Sequence, residues 1–483
     1  MPVTSKSGLA QVARWSWKIA IGLIAFVLLA VFACFAVNSI DVPLSEQAKA
    51  LLTGPPNPYR SDDNIYLAMA GFDSAGQRSV IDMGAARIDA YNQALDSMLL
   101  DPDAAVAFNE SASKKLSFSG TAPLGPALTS SIWMAAKSHR RDIATLLTSN
   151  EELYRRYMSM HHLPGYYETA RPSYMMPLVF IPPPVRVLFL SDLASRLQTG
   201  TLQQRRDALD DLRDDLRMWR VVLKGSGALI SKMVAAASLH ADFLLLADMI
   251  ADPNSDLALL ENDRRSLIEP FDLADWKIGA AFRTEFRAAA SLYKTIPLAN
   301  AQVAGSTAQP SSWRERAWNV FQVHFFNLND TENLSAALTA QWEALADSDP
   351  TQIYGRREAY VEWLKQNGPH LSPAALYNPI GKILVGLAVP TYDAYPMRVF
   401  DVAAYQRLVY LVFQLRRQNI PTSDVAMFQL QHPEWSTHPV DGKSFRWNPE
   451  TGELAVNTVG KHPEGRRFGV MFRQDPAIGP RGL

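Results

Sequence analysis

The sequence predicts a mainly α protein: a multi-helix body behind an N-terminal transmembrane helix, with a small antiparallel β unit at the C-terminus. Three observations carry this. Ile19 to Val37 is a run of nineteen residues without a charge. Beyond it, apolar residues recur at alternating three and four, the spacing that puts them on one face of a helix. From residue 431 onward the pattern changes to short alternating runs separated by turn signals such as Asp441-Gly442 and Thr451-Gly452, which is how hairpins read.

The apolar run comes first. At 1.5 Å rise per residue it nearly matches the roughly 30 Å hydrocarbon core of a bilayer. Lys6, Arg14 and Lys18 precede it with no acidic residue among them, and Asp41 and Glu46 are the first charges after it. The excess of basic residues on one flank places residues 1–18 in the cytoplasm and the body outside. Trp15 and Trp17 stand where an interfacial aromatic belt would be. Two other readings compete. A cleaved signal peptide would end at Ala33, although the apolar stretch continues past it to Val37. A lipoprotein would be modified at Cys34, although Phe32 is bulky where such signals take small residues. All three leave the body outside the cytoplasm. No second span is expected: Met176 to Leu190 is broken by prolines and Arg186, and Ala228 to Ile250 carries Lys232, His240, Asp242 and Asp248.

Composition narrows the class. The chain has 483 residues, 48% hydrophobic and 20% charged, with a net charge of −1. That balance builds a real core and gives no field that would favour nucleic acid. Cys34 is the single cysteine, so disulfide scaffolds, CxxC redox sites and cysteine-based zinc sites are excluded by count. A body without thiols fits a bacterial envelope protein better than a eukaryotic secreted one. Three N-x-S/T triplets, at Asn109, Asn329 and Asn333, pull the other way. The expected location is therefore the bacterial inner membrane, single-pass, with the body in the periplasm.

Along the body, residues 38–60 read as a stalk ending in Gly54-Pro55-Pro56. Residues 61–300 form a helical body, 301–312 (AQVAGSTAQPSS) a linker, 313–430 a second helical region and 431–483 the β unit. Within the body, Asn64 to Phe72 is a short apolar-aromatic run expected as a buried strand or extended segment. Val80 to Leu100 has helical spacing, and Asn150-Glu151-Glu152 opens a further helix. Thr201 to Leu223 is the clearest helix, with Leu209, Leu212, Leu216, Trp219 and Leu223 along one seam. Arg206, Asp210, Asp211, Arg213, Asp214 and Asp215 are expected on its solvated face. Gly225-Ser226-Gly227 then turns the chain into an antiparallel partner helix, Ala228 to Ile250. No repeat of 30–45 residues is visible.

The ending Asp441-Gly442-Lys443-Ser444-Phe445-Arg446-Trp447, followed by Asn457-Thr458-Val459-Gly460, resembles the D-G-K-x-(aromatic)…S-V-G close of many uncharacterised single-pass bacterial envelope proteins. A similar helix-plus-sheet unit closes some pseudopilins. The resemblance implies an envelope location and brings no known activity. This chain departs from the pilin pattern in lacking the processing glycine before its span.

Candidate chemistry is sparse. Tyr166, Tyr167, Glu168 and Arg171, with Tyr174 beyond them, would line a groove for a sugar or peptide, or else pack as a loop. His432, Glu434 and His438, close to Asp441, carry metal-type donors but match no ligand spacing and read as a structural loop between Pro433 and Pro439. His161-His162 fits a helix C-terminus, where the dipole favours it. Ser111-Ala-Ser-Lys114 is a loose S-x-x-K without the companion motifs of penicillin-recognising enzymes. There is no H-E-x-x-H, P-loop or G-x-G-x-x-G. No cofactor is expected. The bilayer is the one expected partner, with an envelope protein as the next. The expected role is an interaction or accessory protein of the cell envelope, the alternative an envelope hydrolase or a glycan- or peptide-binding protein.

Overall fold

A computed structural model describes residues 6–100, 115–121, 131–305, 312, 314, 324–367, 376–388, 392–462 and 466–472. The S-x-x-K at Ser111 and half of the stretch expected as a linker, residues 306–311, lie outside them. The described residues form nineteen α-helices and one three-stranded antiparallel sheet. The helices are α1 (Lys6–Asn38), α2 (Glu46–Thr53), α3 (Ile65–Ala70), α4 (Val80–Leu100), α5 (Ile132–Ser138), α6 (Arg140–Ser149), α7 (Glu151–Met160), α8 (Pro183–Thr199), α9 (Leu202–Lys224) and α10 (Leu229–Ala251). They continue as α11 (Leu257–Asn262), α12 (Arg264–Leu267), α13 (Gly279–Gly305), α14 (Leu328–Ala346), α15 (Ile353–Asn367), α16 (Pro379–Ala388), α17 (Tyr395–Arg417), α18 (Val425–Gln431) and α19 (Pro433–Ser436). The strands β1 (Arg446–Asn448), β2 (Glu453–Ala455) and β3 (Gly469–Met471) pair in chain order, with Trp447 opposite Leu454 and Leu454 opposite Val470.

The mainly helical class, the N-terminal apolar helix and the small C-terminal sheet are as the sequence predicts. One element differs. Residues 65–70, expected as a strand or extended segment, form the helix α3. A short unbroken apolar run does not distinguish a buried strand from a buried helix. Here Asn64 decides it by accepting the Tyr66 backbone N–H at 3.1 Å, an N-cap interaction. α3 crosses α4 with backbones touching: a Cβ on Gly84 would lie 1.8 Å from the Leu67 carbonyl oxygen, and one on Gly71 1.9 Å from that of Val80. Gly84→Ala gains helix propensity of up to about 1 kcal/mol, but the overlap is with main chain and no rotamer relieves it. A net loss of about 2 kcal/mol is expected, the middle of the overpacking range, read as a lowered midpoint in urea unfolding. An unchanged midpoint contradicts the contact.

The chain divides into two units. One comprises Met1–Leu52, Leu292–Leu338 and Glu362–Pro390. In it, the stretch Trp15–Asn38 of α1 is 24 residues long, apolar enough to cross a membrane, and buried nowhere in its most apolar window. Its end is held. The Asn38 amide donates to the Leu376 carbonyl at 2.7 Å and its side-chain oxygen accepts the Asn378 N–H at 2.7 Å. Asp41 accepts the Asn329 and Asp330 N–H groups at 2.8 and 3.2 Å, satisfying first-turn donors of α14. Where the sequence suggested a stalk from residue 38, the chain is pinned as soon as it leaves α1.

The other unit comprises Thr53–Ser291, Thr339–Val361 and Thr391–Leu483. α10 is its central helix, packed by α9, α17, α5 and β3. It is apolar and long enough to pass for a span, but most of it is buried inside the body. The predicted seam of α9 is buried at Leu209, Leu212, Leu216, Trp219 and Leu223. Asp215 is not on the solvated face: it is fully buried, held there by Arg186 of α8.

Candidate functional site

Two buried polar assemblies and a cavity stand out among the described residues of this larger unit. The first assembly joins α7, α8, α9 and α10. Arg186 donates to Asp215 Oδ2 at 2.7 Å and also to Asp242 and, at 2.7 Å, the Ser238 carbonyl. Asp215 Oδ1 further accepts the Tyr157 hydroxyl at 2.6 Å and faces His161 Nε2 at 3.0 Å. The Trp219 indole N–H donates to the Tyr157 oxygen at 3.1 Å, and the guanidinium lies 5.1 Å from the Trp219 ring centre. One cation thus serves two carboxyls. Burial pushes both carboxyls up, but Arg186 and the donors on Asp215 hold that group well below its ordinary range. Asp242 keeps the upward push of burial, to which the nearby Asp215 charge adds. His161 is therefore tied to a buried carboxylate, beyond any dipole effect at the end of α7. These groups are closed off from solvent, and their arrangement joins four helices.

The second assembly surrounds Asp401 of α17. Its Oδ1 faces His438 Nε2 at 2.9 Å and accepts the Val459 N–H at 2.8 Å. Its Oδ2 faces His462 Nε2 at 2.6 Å and accepts the Gly460 N–H at 2.8 Å. Because His438 Nδ1 accepts the Val440 N–H at 3.1 Å, its proton sits on Nε2. The Thr458-Val459-Gly460 ending is thereby a docking segment onto α17. His432 and Glu434 point elsewhere: they pair with each other at 3.3 Å, and the His432 ring stacks on Trp435 at 4.5 Å. His432, Glu434 and His438 are not brought together, and the described residues hold no group of three or more His, Cys, Asp or Glu side chains placed for a metal ion.

The sequence-predicted groove residues are placed as follows. Tyr166 is buried, edge-on to Tyr66 at 5.9 Å, and its hydroxyl donates to Glu168 at 2.8 Å. Glu168 accepts the Ala228 N–H at 2.8 Å and the Ser231 hydroxyl, so both its oxygens serve the first turn of α10. The Tyr167 hydroxyl donates to the Pro55 carbonyl at 2.7 Å. Arg171 pairs with Asp96 at 2.7 Å and bonds Asn92 of α4. None of the four lines the cavity. They hold the loop that does, and Tyr174 lines it.

That cavity, of 340 Å³, lies beside the start of α10. One wall is the loop Ser173, Tyr174, Met176 and Leu178, pinned to α4 by the Tyr91 hydroxyl, 2.9 Å from the Arg171 carbonyl and 2.6 Å from Ser173 Oγ. The second is Ala228, Leu229, Ile230 and Met233 of α10 and its N-cap; the third is Thr284, Glu285 and Ala288 of α13. Tyr392 and Tyr395 complete it. Glu285 is the single carboxyl among the described lining residues. It accepts the Leu229 N–H at 2.8 Å and lies 3.4 Å from the Tyr392 hydroxyl. Burial, with the Glu168 charge nearby, pushes it above the ordinary carboxylate range. Lys232, one turn into α10, is turned away from the cavity onto the Val222 and Gly225 carbonyls that end α9. Its burial brings its amine down to about 7. The mouth is apolar, with Tyr174, Leu178 and Ile230 exposed.

Four distant segments make this site, which is why spacing along the sequence does not disclose it. Glu285 sits in Phe282-Arg-Thr-Glu285-Phe286 and reads like any charged helix position. The available signal was the apolar stretch from Tyr174 to Phe180, broken by Pro177. Chemically the cavity offers an apolar wall, three tyrosines and one carboxyl, that of Glu285. Its described lining has no histidine, cysteine or second carboxyl to complete a hydrolytic set. No protein-family model matches the chain, and no curated protein or solved structure matches it either.

Proposed function

We propose that this chain is a single-pass protein of the bacterial inner membrane, N-terminus in the cytoplasm and body in the periplasm, acting as an interaction protein of the envelope. The observation that carries the reading is the exposed apolar helix Trp15–Asn38 attached to a body with a buried core of its own. The basic flank before it and the thiol-free body after it support this orientation and compartment.

A second reading, binding of an apolar or amphipathic segment, is favoured by the cavity and its apolar mouth. Exposed apolar patches rimmed by polar residues are where partners dock, and a pocket of this size takes a few side chains or a short chain. The two readings join if the partner is held at the mouth. The test is purification of the full-length protein from detergent-solubilised membranes, followed by mass spectrometry of what accompanies it. A stoichiometric envelope partner is expected, and Leu178→Arg with Ile230→Arg should reduce its recovery about tenfold, the loss of about 1.4 kcal/mol. Recovery of the protein alone contradicts the interaction reading. A partner retained by the double variant contradicts its placement at the cavity.

A further inference from the structure

The smaller unit carries a second apolar surface, at the exit of α1. Helix α16 reads Pro-Ile-Gly-Lys-Ile-Leu-Val-Gly-Leu-Ala, ten residues with one charge. It is apolar on two sides. Gly381 and Val385 are buried, Gly381 so closely that a Cβ would meet Thr331 Oγ1 at 2.0 Å. On the other side Ile383 is 61% and Leu387 73% exposed, one turn apart, and Leu376 just before the helix is 54% exposed. A soluble surface helix would put charges there.

The place of this helix identifies what covers it. Leu376 accepts the hydrogen bond from Asn38, the last residue of α1, and Asn378 donates back to it. The Tyr377 hydroxyl donates to the Ile40 carbonyl at 3.2 Å. Val37 and Ile40, at the end of α1 and just beyond it, are themselves exposed. The exposed apolar side chains of α16 thus begin at the residue where the span ends, and Tyr377 and Lys382, residue types that favour the headgroup zone, stand between. Lys382 Nζ lies 5.9 Å from the Tyr377 ring centre.

We propose that α16 is an interfacial helix: Leu376, Ile383 and Leu387 insert at the headgroup–acyl boundary of the bilayer that α1 crosses. This rests on the anchor reading above. An apolar stripe with one cation fits a lipid surface, and a span and a surface helix joined by these hydrogen bonds hold the smaller unit against the membrane. The anchor is then a fixed mount and not a tether.

The test uses the full-length protein with Cys34→Ala, reconstituted in vesicles of phosphatidylethanolamine and phosphatidylglycerol. A polarity-sensitive fluorophore is attached at Leu387→Cys, at Phe26→Cys in the middle of the apolar run, or at Met427→Cys on the body. Lipid-borne nitroxides should quench the label at position 387 about threefold more than at 427, with iodide showing the reverse order. Strong lipid quenching at 26 but none at 387, with iodide reaching 387, overturns this proposal and leaves the anchor standing. No lipid quenching at 26 overturns the anchor reading itself. A label at 387 shielded from both quenchers means that protein, a partner or a second copy, covers the helix, and the proposal fails.

Discussion

Arg186→Met is expected to destabilise the larger unit by about 3–5 kcal/mol, the cost of stranding buried charge. Against a total stability of roughly 5–15 kcal/mol this approaches unfolding. The guanidinium bridges Asp215 and Asp242, both fully excluded from water. Methionine fills much of the same volume but leaves Asp215 with only Tyr157 and His161 as partners. The measurement is urea unfolding of the full-length protein in detergent, followed by tryptophan emission, which Trp219 reports directly. The apolar double variant Arg186→Met with Asp215→Leu should recover part of the loss, because it removes the stranded charge as well as its partner. A loss below about 1 kcal/mol for Arg186→Met would place the ion cluster outside the core's energetics.

Asp401→Ala is expected to release the C-terminal sheet from α17. Four donors, from His438, His462, Val459 and Gly460, lose their acceptor. Each unsatisfied buried donor costs about 1–3 kcal/mol unless it reaches water, so the segment should detach and not stay docked. Limited proteolysis should then cut within residues 440–462, where the native protein resists. The sheet keeps other ties, the Arg467–Asp248 pair at 2.6 Å and Phe468 stacked on His240 at 4.6 Å, so the helical body stays folded. Burial raises the Asp401 carboxyl, but hydrogen bonds from His438, His462 and Val459 overcome this and hold it below its ordinary value. A depressed carboxyl stabilises the fold above its unfolded pKa of about 3.9 and loses that contribution as pH falls through the folded value. Docking of the sheet should therefore weaken below about pH 4 in the native protein, and the alanine variant should lack that acid limb. Native-like protease resistance in the variant contradicts the assignment. Gly460 belongs to the same contact, since a Cβ there would lie 2.9 Å from Asp401 Oδ2 and from the Arg398 nitrogen.

What the sequence discloses depends on how local the cause is. The span, the α9 seam and the hairpin turns are set by residues within a few positions of one another, and periodicity reads them well. The run Asn64 to Phe72 failed as a strand because apolarity without period is silent about conformation, and Asn64 was the overlooked cap. Asp215 belongs to a run of mixed charges and looks solvated. What buries it is Arg186, 29 positions away, with Asp242 on the far side of the same guanidinium. Glu168 was legible as a polar group among tyrosines, but its task is to satisfy the first turn of α10. The cavity needed four segments to meet. His438 read as part of a structural loop beside His432, and nothing in that stretch disclosed its partner, Asp401 on another helix.

The central claim is that α1 crosses the membrane and leaves the body on the periplasmic side. The most direct measurement is labelling of Met427→Cys, in a Cys34→Ala background, with a membrane-impermeant maleimide. Intact inner membranes exposed from the periplasmic side should label, and inverted vesicles should not until they are lysed. Labelling confined to inverted vesicles would put the body in the cytoplasm, and equal labelling of a carbonate-soluble protein would remove the anchor altogether.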